Sequence, residues 1–168
     1  MSEAKAMIRQ PGQGEFLSVV GETIRILADS AATGGKCVVF ENISPAGSGP
    51  PLHRHGRDDE AFFVVEGTVK FSVNGTETVL NAGGFAFAPR GSVHTFLNVG
   101  PGPCRMIITC TPGGLEVPFR ECDALARQGY EVQTFPDRPR AQAVLASRLP
   151  ELVVVDVGVE RVDVVEVV

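Results

Sequence analysis

Residues 47–67 read GSGPPLHRHGRDDEAFFVVEG and residues 83–98 read GGFAFAPRGSVHTFLN. Between them they hold all three histidines of the chain, His53, His55 and His94. Two spacing patterns are embedded there. The first fixes Gly47, His53, His55, Glu60 and Gly67 as G-x5-H-x-H-x4-E-x6-G. The second fixes Gly83, Pro89, Gly91, His94 and Asn98 as G-x5-P-x-G-x2-H-x3-N, with 15 residues between the two halves. At roughly 5% usage per residue type, ten fixed positions recur by chance with odds on the order of 10⁻¹³, which sets coincidence aside.

The spacing has a chemical sense. His53 and His55 stand two apart, and on an extended segment that spacing turns both rings to one face, where a single metal can take both. Glu60 follows His55 by five residues, an odd offset that an unbroken strand would send to the opposite face. The intervening Gly56, Arg57, Asp58 and Asp59 are turn formers, so the chain can re-enter a sheet with Glu60 pointing inward. A carboxylate opening the apolar run Ala61–Val65 is costly unless charged partners or a metal meet it. In the second half, Pro89-Arg90-Gly91 makes a tight reversal and His94 opens a strand on which His94, Phe96 and Asn98 share a face. The expected ligand set is His53, His55, Glu60 and His94. Three neutral imidazoles and one carboxylate suit one divalent transition metal, Fe, Mn, Ni, Co, Cu or Zn, and leave positions open for a substrate.

Outward from these stretches, residues 16–110 are short β-branched and aromatic runs separated by Gly, Pro, Asn and Ser, the rhythm of an all-β sandwich or barrel. The expected strands are 16–20, 23–28, 36–43, 52–55, 60–65, 68–73, 77–80, 85–88, 94–98 and 104–110. Glu66-Gly67 and Asn74-Gly75 are tight-turn signals. Val69, Phe71 and Val73 alternate with Thr68, Lys70 and Ser72, giving one wet face. The run Ala61–Val65 is apolar on both faces, so its outer side calls for a second sheet or a second subunit, and a homodimer is expected. Beyond Pro118, the spacing of Phe119, Cys122, Leu125 and Ala126 predicts one short helix; Ala141, Val144, Leu145 and Leu149 behind Asp137 predict another. Either could pack outside the barrel or shield one end. The Val-rich stretch 151–168, broken by Asp156, Glu160, Asp163 and Glu166, reads as an added edge strand or as disorder. The expected organisation is an N-terminal arm (1–14), a β-barrel (15–118), a helical extension (119–150) and the Val-rich tail (151–168).

Composition bounds the partners. The 168 residues carry 15 basic and 20 acidic side chains, a net charge of −5, against a sequence-independent nucleic-acid surface and in favour of a small-molecule partner. No stretch approaches the ~20 apolar residues of a membrane span and the first 14 residues lack the apolar segment of a secretory signal, so a cytoplasmic location is expected. The four cysteines show no C-x-x-C spacing and read as buried thiols.

The two half-motifs resemble those of the cupin superfamily at every fixed position, with the short inter-motif segment of bacterial single-domain members. The resemblance covers roughly residues 37–111. It implies a cupin fold, a double-stranded β-helix or jelly-roll barrel, with one metal in its mouth. Within the superfamily the ligand pattern resembles that of quercetinase-type dioxygenases. That likeness implies a metal-dependent oxygenase of a small phenolic or enolic substrate, with Glu60 as general base. Phe62, Phe71, Phe85, Phe87 and Phe96 could line a substrate slot or fill the barrel core, and Phe62 and Phe96, which share parity with the ligands, are the candidate substrate contacts. Quercetinases often carry two barrels per chain, whereas one complete motif pair stands here. Two other readings follow from the same fold: a metal-assisted cyclase or isomerase of polyketide-type substrates, and a non-catalytic metal or small-ligand binding protein.

Overall fold

The computed structural model describes residues 3–133 and 152–154. Strands β1 (Glu15–Val19), β2 (Glu22–Ala28), β3 (Val38–Ser44), β4 (Asp59–Glu66), β5 (Thr68–Val73), β6 (Thr76–Asn81), β7 (Phe85–Ala88), β8 (His94–Asn98) and β9 (Cys104–Thr111) follow in chain order, with a short helix α1 (Ser30–Thr33) between β2 and β3. They form two antiparallel sheets, one in the order β1-β2-β3-β9-β4-β7 and one in the order β6-β5-β8. This is the all-β jelly-roll architecture that the strand rhythm calls for.

Alternation decides which side chains meet between the sheets. On β4, Phe62 and Val64 point inward and are buried, while Phe63 points outward and is 47% exposed. On β5, Val69 and Phe71 are buried. Phe62 meets Phe71 at 5.2 Å and Phe96 of β8 at 6.2 Å between ring centroids, so three aromatics knit the large sheet to the small one. Burial of each contributes about 2–3 kcal/mol, with the edge-on contacts adding roughly 1 kcal/mol. Asn74 and Gly75 adopt φ of 49° and 81°, the pair of positive angles that a two-residue hairpin turn requires between β5 and β6.

Three local expectations change. Residues 52–55 do not form a strand; His53 makes a single bridge to His94 instead, because Pro50 and Pro51 remove the donors that a continuous ladder would need. Residues 30–33 form a helical turn, capped when Asp29 accepts a hydrogen bond from the Ala32 amide at 2.9 Å. Helix α2 (Glu116–Arg127) begins three residues before Phe119.

Helix α2 is tied down at two points, its first residue and its middle. The buried Glu116 carboxylate accepts from the Ser30 amide at 2.9 Å, from the Ser30 hydroxyl and from the Gly114 amide at 3.0 Å. Asp123 accepts from the Ser18 amide at 2.8 Å. These clasps press Leu115, Phe119 and Cys122 into the core, with Phe119 edge-on to Phe40 at 5.4 Å and 85°. The helix therefore shields one end of the space between the sheets. Two further strands, β10 (Glu131–Gln133) and β11 (Leu152–Val154), pair in parallel with each other. The second expected helix, at Ala141 to Leu149, and the rest of the Val-rich tail lie outside the described residues. Among the described residues, no helix is long and apolar enough to cross a membrane.

Candidate metal centre

Backbone pairing between the two half-motifs builds the site. The His53 amide donates to the His94 carbonyl at 3.0 Å and the His94 amide to the His53 carbonyl at 2.8 Å, which sets the two rings opposite each other. Gly91, at a φ of 83°, turns the chain so that its amide reaches the His55 carbonyl at 2.7 Å. Glu60 pairs with Cys110 on one side and Ala88 on the other, which places it inside the sandwich beside both halves. Asn98 does structural work: its buried amide donates to the Ser44, Pro45 and Gly102 carbonyls at 2.8–3.0 Å and accepts from the Gly100 amide at 3.0 Å.

One atom from each of His53, His55, Glu60 and His94 comes within 4.8 Å of all the others. Glu60 Oε2 lies 3.0 Å from His94 Nε2 and 3.3 Å from His55 Nε2. His55, Glu60 and His94 are buried and His53 is half-buried. Two rings are oriented from behind: His53 Nδ1 meets the Pro51 carbonyl at 2.8 Å and His94 Nδ1 meets the Ser92 carbonyl at 3.0 Å. A carbonyl only accepts, so both Nδ1 atoms carry the proton and both Nε2 lone pairs of the neutral rings turn inward.

That arrangement could hold a cation. A His94 lone pair facing a carboxylate oxygen at 3.0 Å is two acceptors in contact unless a proton or a metal stands between them. Two ligands about 2.1 Å from one ion and at right angles would themselves stand about 3.0 Å apart, so the spacing fits a divalent ion as well as it fits a proton. Burial raises the Glu60 pKa, but the hydrogen bonds and charges of His55 and His94 outweigh it and hold the carboxyl at about 2. Burial lowers the His94 pKa, but the Glu60 hydrogen bond and charge, with the Ser92 carbonyl, raise it on balance. His53 falls to about 4, through burial and then the charge of His94, and is neutral at physiological pH. Glu60 is thus ionised and His53 neutral, the forms in which each binds a metal, whereas His94 must give up its proton first.

A cavity of about 150 Å³, lined at one end by His53, His55 and Glu60, extends into the sandwich. Phe62 and Phe96 line it, as do Ile24, Phe40, Ile108 and Phe119. Phe71, Phe85 and Phe87 do not: Phe71 is core, and the other two are exposed on the outer face. Arg90 is engaged elsewhere, since Asp59 clasps it through Nε at 3.1 Å and Nη2 at 2.6 Å. Asp59 thus serves as a clamp between β4 and the turn after β7.

Comparison with known proteins agrees with this geometry. The cupin-domain family model matches residues 39–110. Residues 39–110 are a cupin domain. Quercetin 2,3-dioxygenase of Bacillus subtilis (strain 168) is 28% identical over 134 residues, 80% of this chain and 38% of that protein. The chain therefore spans little more than a third of that relative's length. Among solved structures it is similar to a predicted oxalate decarboxylase from Thermotoga maritima, with a TM-score of 0.57, 22% identity, and 64% and 99% of the two chains covered. It is also similar to an RmlC-like cupin from Shewanella frigidimarina NCIMB 400, with a TM-score of 0.55, 24% identity, and 67% and 93% covered. At these identities the structural likeness shows the fold.

Several residues at the site carry no sequence signal. Cys110, read as a packing thiol, is buried with Sγ 3.6 Å from Glu60 Oε1. Burial first, and then the Glu60 charge, push its pKa up, so it is a thiol at neutral pH and the donor in that contact. Leu115, just before helix α2, and Phe119 within it reach the cavity from an element that periodicity could not orient. Glu22 and Asn42 line its far end. Their strands are legible, but that these residues face the cavity follows from which strands become neighbours.

Proposed function

We propose that this cupin holds one divalent transition metal at His53, His55, Glu60 and His94 and acts as a dioxygenase on a small phenolic or enolic substrate. The observation that carries this reading is the quartet of converging donors, three of them buried, beside a largely apolar cavity that His53, His55 and Glu60 line. The named activity of the Bacillus subtilis relative supports the same reaction class.

When bound, a divalent ion supplies Lewis acidity toward a substrate oxygen and, if redox-active, a route for electrons to O2. The protein does the rest. The Pro51 and Ser92 carbonyls fix the His53 and His94 rings so that no reorientation is needed as the site fills. Phe62, Phe96 and Ile108 exclude water, which strengthens every charge interaction at the quartet. Glu60 is the proton acceptor for the substrate hydroxyl. With its pKa held so low it is a weak base, and it takes a proton only from a hydroxyl acidified by its surroundings. We also read the outer-face cluster of Phe63, Phe85 and Phe87, with Phe63 opposite Phe85 in the β4–β7 pair, as the contact surface for a second copy of the chain.

An O2 electrode with metal-loaded protein and a panel of enols and phenols tests the reading. It expects oxygen uptake that is lost in His94→Ala and in Glu60→Gln. Tightly held Zn with no uptake on any member of the panel would contradict it and favour the oxygen-independent cyclase, isomerase or binding readings.

A further inference from the structure

The cavity has a second polar end, distant from the histidines. Glu22 opens β2 immediately after the Val20-Gly21 turn, and Asn42 lies on the neighbouring strand β3, only 2% exposed. Both line the cavity. On β9, Asn42 pairs with Met106 whereas Glu60 pairs with Cys110. The two ends of the cavity are thus four residues apart along one strand, roughly 13 Å at the rise of a strand.

Glu22 is held in place but not neutralised. Its Oε2 accepts from Asn42 Nδ2 at 2.8 Å and its Oε1 from Ser48 Oγ at 3.0 Å, while Asn42 Nδ2 also donates to Ser44 Oγ at 2.7 Å. Among the described residues Glu22 has no ion-pair partner, and no Lys or Arg lines the cavity. A carboxylate offers about four acceptor positions, so two donors leave about half of its capacity unfilled. The walls between the two ends are apolar. A cavity of about 150 Å³ has room for one benzene-sized ring between its two ends.

We propose that Glu22, oriented by Asn42 and Ser48, determines specificity by accepting a hydrogen bond from a hydroxyl or ammonium group at the far end of a single-ring ligand and by repelling a carboxylate there. This rests on the reading that a phenolic or enolic oxygen occupies the quartet end. It narrows the substrate class to neutral or cationic one-ring compounds with a donor opposite the reacting oxygen. A hydrogen bond to a charged acceptor in such a site is worth about tenfold in affinity.

Calorimetric titration with four para-substituted phenols tests the far end alone, because the phenolic end is constant across the series. In the wild-type protein 4-hydroxybenzyl alcohol and 4-hydroxybenzylamine should bind about tenfold more tightly than p-cresol, and 4-hydroxybenzoate about tenfold more weakly. Glu22→Gln, with folding checked by thermal denaturation, should bring the amine and the carboxylate to within about threefold of p-cresol. The wild-type ranking stands as a test even if that variant fails to fold. The proposal is overturned if 4-hydroxybenzoate binds as tightly as the alcohol, if the ranking survives Glu22→Gln, or if none of the four binds. Failure of the metal reading leaves a different trace: His94→Ala would leave the affinity of all four unchanged while their ranking persisted.

Discussion

Replacing Glu60 by Gln in chelator-stripped protein isolates the electrostatics of the quartet from metal binding. In the fold the carboxyl titrates at about 2 against an ordinary value of 4.5. At about 1.4 kcal/mol for each tenfold change in proton affinity, that difference is worth roughly 3 kcal/mol of folding free energy, to order of magnitude. Its sign follows from the depression: the contribution is complete above pH 4.5 and is lost as the pH falls toward 2. The partners are imidazoles at 3.0 and 3.3 Å, and His94, whose pKa is raised, is protonated near pH 5.5 in both the folded and unfolded chains. Urea denaturation at pH 5.5, 4, 3 and 2.5 should therefore find the wild type more stable than Glu60→Gln by roughly 3 kcal/mol at pH 5.5, with the gap closing toward pH 2.5 and similar denaturant slopes throughout. A gap absent at pH 5.5, or one that stays constant with pH, would refute the reasoning, because either result means that the imidazoles do not hold the carboxylate.

Metal affinity should rise with pH through the His94 range, by up to about tenfold for each pH unit, since a proton must leave before Nε2 can bind; Zn titrations at pH 6, 7 and 8 with the same affinity would contradict this. Asn98→Ala should cost about 3 kcal/mol in urea denaturation, because three carbonyls lose one buried donor group; a loss below 1 kcal/mol would remove Asn98 from its structural role. Phe119→Ala should cost about 3–4 kcal/mol and enlarge the cavity while leaving metal content unchanged, as read by urea denaturation and elemental analysis. Changing both Phe85 and Phe87 to Ser should convert a dimer to a monomer in light scattering without altering metal content; an unchanged mass would place the subunit contact elsewhere.

The features most legible in the sequence are those carried by local spacing. His53 and His55 two apart, a turn before Glu60 and a reversal before His94 are statements about neighbouring residues, and the strand boundaries from β4 to β9 follow from alternation and from turn residues such as Asn74 and Gly75. Residues 52–55 depart from a strand because two preceding prolines outweigh the apparent alternation. The short helix at 30–33 depends on one side-chain cap at Asp29, too little sequence for any periodicity to register. Glu22, Asn42, Cys110 and Phe119 belong to a different category. Each reaches the cavity because strands or a helix far apart in sequence become neighbours, and nothing within a window of ten residues records that. The clasps from Glu116 to Ser30 and from Asp123 to Ser18, which orient α2, span 86 and 105 residues.

Anomalous diffraction from crystals of the metal-loaded protein, recorded at the absorption edge of the loaded element, tests the central claim most directly. A single peak within about 2.0–2.3 Å of nitrogen atoms of His53, His55 and His94 and an oxygen of Glu60 is the expected result. A map with no peak there, or with the ion bound elsewhere and the three imidazoles turned away from Glu60, would contradict the account.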